Sequence, residues 1–251
     1  YDAFALMVDH LVNAGVHGIV VGGTTGEYYV ESHEERIRLL QIAKDRAEGA
    51  AAGNQNRKVP VVFGTGSLNP NDSIVLAEAA AANGADAILV ATPPYALPTE
   101  RELAMHALAV DRAADLPIML YNYPDRMGVM MGEEFLDRVG RSSNFCGIKE
   151  SSGDINRLHL LARDYPHIQI ACGMDDQALE FFACGAGGWV CAGSNFLPRE
   201  HIALYNACVL EGDFSKGRRI MSAMMPLMRV LEQGGKFIQC VKHGVTLEGL
   251  Y

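Results

Sequence analysis

Lys149 closes a short apolar run, Phe145-Cys146-Gly147-Ile148, and Glu150-Ser151-Ser152-Gly153-Asp154 follows it directly. A strand that finishes on a lysine and opens into a capped helix sets an amine at the strand's carboxyl end. Held there and partly desolvated, an amine is the nucleophile for Schiff-base chemistry on a ketone. Tyr121 ends another apolar run, and a phenol on the adjacent strand can shuttle protons as carbinolamine becomes imine and then enamine. The turn Gly22-Gly23-Thr24-Thr25-Gly26-Glu27 offers amides and hydroxyls to a carboxylate, as backbone nests do. Arg126, five residues after Tyr121, is suited to clamp a second carboxylate bidentately. Each has a plainer reading: a surface lysine paired with a carboxylate, a loop anchor before Pro124, a tight connection and a surface arginine.

The elements that must position these residues are strands alternating with helices. The strands are read at Gly18–Val21, Val59–Gly64, Asp86–Ala91, Pro117–Tyr121, Phe145–Lys149, Ile168–Cys172 and Trp189–Ala192. They are nearly continuous in apolar character, as parallel strands buried on both faces are. Ser32 with Glu35 and Thr99 with Glu102 form capping boxes that open helices. Gly84 and Pro117 mark helix ends. The chain opens in helical periodicity (Phe4, Met7, Val8, Leu11, Val12), and Glu48–Lys58 reads as a surface loop. Such alternation implies a parallel sheet with right-handed crossovers. A closed (β/α)8 TIM barrel and a doubly wound sheet compete. Gly64-Thr65-Gly66 lacks the third glycine of a dinucleotide fingerprint, and the polar residues fall at strand ends, so the barrel is favoured. Seven strands are counted where a barrel needs eight, so the expectation is one barrel domain over 1–251 whose first strand is missing from this chain.

Composition narrows the function. The 251 residues carry 49% hydrophobic content and a formal net charge of −9. That supports a large single core and disfavours nucleic acid as a partner. The six cysteines include no C-x-x-C pair, and Cys146, Cys172 and Cys191 lie in apolar strand-like runs, which fits a reducing cytoplasm. No signal peptide or membrane span is read. Histidine spacing gives no zinc motif, and neither a P-loop nor a G-x-S-x-G elbow occurs. Asp175-Asp176 reads as a metal ligand pair or, more simply, as a helix N-terminal cap.

Gly23-Thr24-Thr25-Gly26-Glu27, Tyr121-Asn122-Tyr123-Pro124 and Gly147-Ile148-Lys149-Glu150 occur in an order and spacing that resemble the dihydrodipicolinate synthase / N-acetylneuraminate lyase family. The resemblance covers nearly the whole chain. It implies a (β/α)8 barrel in which Lys149 binds pyruvate or another 2-keto acid as a Schiff base. Tyr121 is then the proton relay and Thr24 passes protons to it. Thr25, within a turn that includes Gly23, holds the pyruvate carboxylate. Tyr95 occupies the position that reaches across a dimer interface, and Arg126 the position that binds the carboxylate of aspartate semialdehyde. The activity so implied is dihydrodipicolinate synthase. The same scaffold hosts aldolases and dehydratases of keto-deoxy sugar acids and a deaminase of a hydroxylated pyrroline carboxylate. A barrel that binds a small acid without catalysis is a further alternative. Tyr28-Tyr29 stands where the synthase has small residues, and Pro94 where lysine-inhibited synthases often have tyrosine, so inhibition by lysine is not implied. The family's habits imply a cytoplasmic homo-oligomer, dimer or tetramer, with no metal or organic cofactor and no membrane partner. They also imply a C-terminal helical extension that starts in 213–251 and is cut short.

Overall fold

The computed structural model describes residues 1–50 and 58–250. In chain order the elements are α1 Asp2–Ala14, β1 Ile19–Val21, α2 His33–Ala50, β2 Val61–Gly64, α3 Pro70–Ala82, β3 Ala87–Ala91, α4 Glu100–Ala114, β4 Ile118–Asn122, α5 Pro124–Met127, α6 Glu133–Val139, β5 Phe145–Glu150, α7 Ile155–Asp164, β6 Gln169–Cys172, α8 Ala178–Ala183, β7 Gly188–Trp189, α9 Pro198–Tyr205, α10 Phe214–Gln233 and α11 Phe237–Leu247. The alternation gives an α/β fold of the (β/α)8 barrel class. The chain divides into two compact units, Gly18–Ser152 and a second made of Tyr1–His17 with Gly153–Tyr251.

In the unit Gly18–Ser152, β1 to β5 pair in sequence order, each parallel to the next. Register and burial sort their side chains into two faces. Ile19, Val21, Val61, Phe63, Ile88, Val90, Ile118, Leu120 and Ile148 are buried on one, an apolar face of β-branched and large residues. Leu89, Ala91 and Tyr121 form a cluster with Met127 on the other, packed by Val20, Val62, Met119 and Tyr123. The register is offset once. Ile118 pairs with Phe145, but Met119 pairs with Gly147, so Cys146 is left over as a bulge. That offset explains why Cys146 is exposed, against the expectation of a thiol inside an apolar strand.

Helix entry follows the sequence signals. The Ser32 hydroxyl accepts from the Glu35 amide at 3.2 Å while Glu35 accepts from the Ser32 amide at 2.8 Å. Thr99 and Glu102 complete the same reciprocal cap on α4. Gly84 follows α3 with φ +70°, the left-handed turn that glycine enters without strain. The loop expected at Glu48–Lys58 starts later than read, because α2 continues to Ala50, and residues 51–57 lie outside the described residues.

In the unit of Tyr1–His17 with Gly153–Tyr251, β6 and β7 pair in parallel through Ala171 with Gly188 and Cys172 with Trp189. The expected strand Trp189–Ala192 is shorter and earlier, Gly188–Trp189. The cause is Asp175. Its buried carboxylate accepts from the amides of Ala192 at 3.1 Å and Gly193 at 3.0 Å, and from the Trp189 indole at 3.2 Å. Those amides are drawn into a turn rather than a ladder. Asp175 is therefore an internal acceptor, not the simple helix cap, and among the described residues no group of acidic, histidine and cysteine side chains has a metal-holding arrangement. None of the described helices is long and apolar enough to cross a membrane.

Asp86 gives a stability handle on the first unit. It lies at the amino end of β3 and accepts from Lys44 at 2.9 Å and from the Val61 amide at 3.0 Å, with the Lys58 ammonium 2.5 Å away. Burial alone would raise its pKa, but the bonds from Lys58, Val61 and Lys44 outweigh it and hold the carboxyl at about 2, below the usual 3.8. A folded-state pKa below the unfolded one stabilises above 3.8, and that stability is lost as pH falls through 4 towards 2. Asp86→Asn is expected to lower the unfolding free energy by about 1–2 kcal/mol at neutral pH. Urea titrations across pH should show the difference from wild type closing below pH ~3. A difference that stays constant with pH would contradict this account.

Candidate active site

Strand alternation decides which side chains meet. Tyr121 of β4 is the direct register partner of Lys149 of β5, and two aligned residues on neighbouring parallel strands point to the same side. The Lys149 ammonium nitrogen accordingly lies over the Tyr121 ring, 4.3 Å from its centroid. Tyr121 is buried and Lys149 half-buried, with Ile148 beside it fully buried. The two residues expected to share the chemistry are thus in contact.

The remaining expected residues also fall in the unit Gly18–Ser152. Thr24 and Thr25 open a short 3₁₀ turn, Thr24–Gly26, with Gly23 in extended conformation before it. The Gly26 amide donates to the Gly23 carbonyl and the Glu27 amide to the Thr24 carbonyl, both at 3.0 Å. The Thr24 hydroxyl is buried and has no hydrogen-bond partner among the described residues, a state that a bound polar group would relieve. Arg126 extends from α5, with its guanidinium carbon 5.9 Å from the centre of the Tyr123 ring, and Tyr123 in turn lies 5.8 Å from Tyr121 ring to ring. A hydrogen bond to Tyr123 holds Arg126 above the usual arginine range. Its positive charge is therefore constant at all working pH. Tyr95 is different. It lies in the loop after β3, 91% exposed, with φ +71°. A non-glycine residue there is strained, and within this chain it is not brought to Lys149.

Sequence reasoning missed the group that binds the backbone at the end of β2, beside the turn that follows β1. Arg36 of α2 is buried, and its guanidinium donates to the carbonyls of Gly64 and, at 2.9 Å, Gly66. It stacks on Tyr28, 5.2 Å from ring centre, and on Phe63 at 5.7 Å. Gly22 has φ +73°, and a Cβ on Gly64 would overlap the Gly22 carbonyl, so the ends of β1 and β2 approach as only glycine permits. Tyr28 is buried against Gly66, and burial raises its phenol above the usual value, with Arg36 opposing and Tyr121 adding to the rise. No spacing signal marks an arginine one turn into an amphipathic helix. Asn122 and Glu150, the sequence neighbours of Tyr121 and Lys149, form a further pair that no sequence pattern singles out. Both are fully buried, and the Asn122 amide donates to both Glu150 oxygens at 2.9 Å.

Comparison with known proteins agrees along the chain. A family model described as "Dihydrodipicolinate synthetase family" matches residues 2–251. A 4-hydroxy-tetrahydrodipicolinate synthase of Exiguobacterium sibiricum is 37% identical over 229 residues, covering 91% of this chain and 75% of that protein. The solved 4-hydroxy-tetrahydrodipicolinate synthase of Methylacidiphilum fumariolicum SolV superposes with TM-score 0.90 at 32% identity, over 99% of this chain and 80% of that one. YagE, a prophage protein of E. coli K12 from the dihydrodipicolinic acid synthase family solved with pyruvate, gives TM-score 0.85 at 30% identity, over 97% and 80% of the two chains.

Arg36→Lys is expected to lower the unfolding free energy by about 1–3 kcal/mol, because one ammonium cannot span both carbonyls. Arg38→Lys, at an exposed position of the same helix, should change it by less than about 0.5 kcal/mol. Chemical denaturation of both variants checks the pair, and equal effects would remove Arg36 from this role.

Proposed function

The chain belongs to the dihydrodipicolinate synthetase family, and on that premise we propose that it is a 4-hydroxy-tetrahydrodipicolinate synthase, a lyase that captures pyruvate on Lys149 and condenses it with aspartate semialdehyde. The observation that carries this reading is the Lys149 nitrogen over the Tyr121 ring at the carboxyl ends of β4 and β5.

The steps follow from the residues. The neutral amine of Lys149 attacks the pyruvate ketone, and the carbinolamine loses water to give the imine. Tyr121 moves the protons, with Thr24 as its neighbour in the relay, which accords with a buried threonine hydroxyl lacking a partner. The Gly23–Thr25 turn holds the pyruvate carboxylate through hydroxyl and amides. Loss of a methyl proton gives the enamine, whose carbon attacks the aldehyde. The substrate amine then displaces Lys149 as the ring closes. Arg126, permanently charged, binds the carboxylate of the aldehyde substrate.

Tyr95, exposed and strained, is assigned to the neighbouring subunit's site, which makes the protein a homo-oligomer, at least a dimer and by family habit a tetramer. A cytoplasmic location and a single barrel domain over 1–251, with a helical extension starting in 213–251, belong to the same proposal. One observation favours a second reading. The buried Tyr28 phenol stands near Tyr121, where a small residue would leave room, so a dehydratase, deaminase or aldolase acting on a hydroxylated 2-keto acid or cyclic imine is the alternative on the same Schiff base.

Incubation with pyruvate and sodium borohydride is expected to add one reduced pyruvyl group to the tryptic peptide of Lys149. Lys149→Ala should abolish the adduct, and Tyr121→Phe should slow its formation by about 10²-fold. No adduct with any 2-keto acid would leave the non-catalytic barrel. An adduct without turnover of aspartate semialdehyde would favour the second reading.

A further inference from the structure

We propose that Asn122 and Glu150 are positioning residues whose mutual hydrogen bonds lock the bulged register of β4 and β5 and so hold Lys149 on the face of Tyr121. This deepens the Schiff-base reading and rests on it. The argument begins with the bulge. The ladder starts with Ile118 opposite Phe145 and resumes with Met119 opposite Gly147, stepping over Cys146. Had it run on without the step, Met119 would pair with Cys146, Tyr121 with Ile148 and Asn122 with Lys149. In that arrangement the lysine would point to the apolar face, and a branched alkyl chain would stand beside the phenol. A slip of one residue exchanges the two faces of a strand. The active amine therefore depends on the bulged register being strongly preferred.

Apolar packing alone discriminates weakly here. Phe145, Cys146, Gly147 and Ile148 are all compatible with a buried strand. The discrimination comes from what lies next along the ladder. Asn122 and Glu150 are register partners, one step beyond Tyr121 and Lys149, and they are the polar pair on a face otherwise made of valine, isoleucine, leucine and phenylalanine. The Asn122 amide donates to both Glu150 oxygens at 2.9 Å, and the Ser152 amide donates to Glu150 Oε1 at 2.8 Å. Asn122 Oδ1 accepts from the Met131 amide at 2.9 Å, and the Asn122 carbonyl accepts from the Ser151 amide at 2.8 Å. In the unbulged register Glu150 would pass beyond Asn122, and a carboxylate and an amide would be buried without each other. That penalty is large for ionised and amide groups, whereas the apolar contacts are interchangeable. A polar pair inside an apolar layer selects one register at a cost in desolvation, which is its best-attested use. Neither residue touches the reacting atoms, because both point away from Lys149.

The test uses the full chain, with E150Q and the reversed pair N122D/E150Q. Glutamine at 150 sets amide hydrogens against those of Asn122 or Ser152, while the reversed pair restores one donor-to-acceptor bond between positions 122 and 150 and keeps an oxygen for the Ser152 and Met131 amides, with one oxygen–oxygen contact left at the Oε1 place. Two quantities are read. One is the rate of borohydride trapping with pyruvate, with kcat and KM measured separately. The other is peptide-resolved alkylation of Cys146, exposed in the bulge and drawn into the ladder without it. E150Q is expected to trap about 10- to 100-fold more slowly, as misplacement of a reacting group by an ångström does. The loss should fall in kcat, with KM for pyruvate near wild type, and Cys146 should lose most of its alkylation. N122D/E150Q should move both readings back towards wild type from E150Q. Wild-type trapping and alkylation in E150Q would overturn the proposal, as would a reversed pair no nearer wild type than E150Q in either reading. If E150Q itself does not fold, the reversed pair alone decides. A wild-type chain that traps no 2-keto acid sinks the Schiff-base reading instead, and the register lock is then decided by Cys146 alone.

Discussion

The contact on which the rest depends is the alignment of Tyr121 with Lys149 across β4 and β5. It brings the lysine nitrogen to 4.3 Å from the centre of a buried phenol ring. Neither residue alone carries chemistry. A lysine at a strand end is an ordinary solvated cation, and a buried tyrosine is an ordinary core residue. Placed on one side of one ladder, they share a surface from which water is partly excluded, and there an amine and an acid–base group can act on the same carbon. The glycine-rich turn after β1, the packed cluster around Leu89 and the Arg126 guanidinium become parts of a site only by reference to that pair.

Much of this was legible before the structure. Strand β2 was placed within two residues at its start, and β3 to β6 within one residue at each end. The capping boxes at Ser32 and Thr99 are formed as read. These features are local, and local chemistry writes itself into adjacent positions. Lys149 and Tyr121 were paired from strand ends, which holds because parallel strands in sequence order bring their carboxyl ends together. What escaped reading is pairwise. A bulge belongs to two strands at once, so the run Phe145-Cys146-Gly147-Ile148-Lys149 gives no sign that one of its members stands out of the ladder. The same reason hid Asp175, whose donors are amides 17 and 18 residues away and which shortened the last strand. Arg36 was invisible because its partners, the carbonyls of Gly64 and Gly66, have no side-chain identity to read.

Arg36 also shows how a polar residue supports a site that it does not enter. Two strand ends that approach closely enough to exclude a Cβ leave their carbonyls crowded and unmatched by a ladder. A planar guanidinium supplies two donors in fixed geometry and buries its flat faces against Tyr28 and Phe63. Burial lowers its pKa from the usual value, with Glu31 opposing that shift, but an arginine has range enough to remain charged. The end of β2 is thus held by a positive charge that gives two donors to the Gly64 and Gly66 carbonyls, while its buried Nε has no hydrogen-bond partner among the described residues.

The two faces of the sheet in the unit Gly18–Ser152 therefore divide their tasks. One carries Tyr121 and Lys149 beside the cluster of Leu89, Ala91 and Met127. The other carries large apolar side chains and, at the carboxyl ends of β4 and β5, the polar pair Asn122 and Glu150. Strand alternation makes this division unavoidable: the residue after Lys149 must point the other way. In the segment Ile148-Lys149-Glu150 the middle residue shares the face of Tyr121 and its two neighbours face the packing. The carboxylate beside the lysine in sequence is thus remote from it in function. Its oxygens accept from Asn122 and the Ser152 amide on the far side of the sheet.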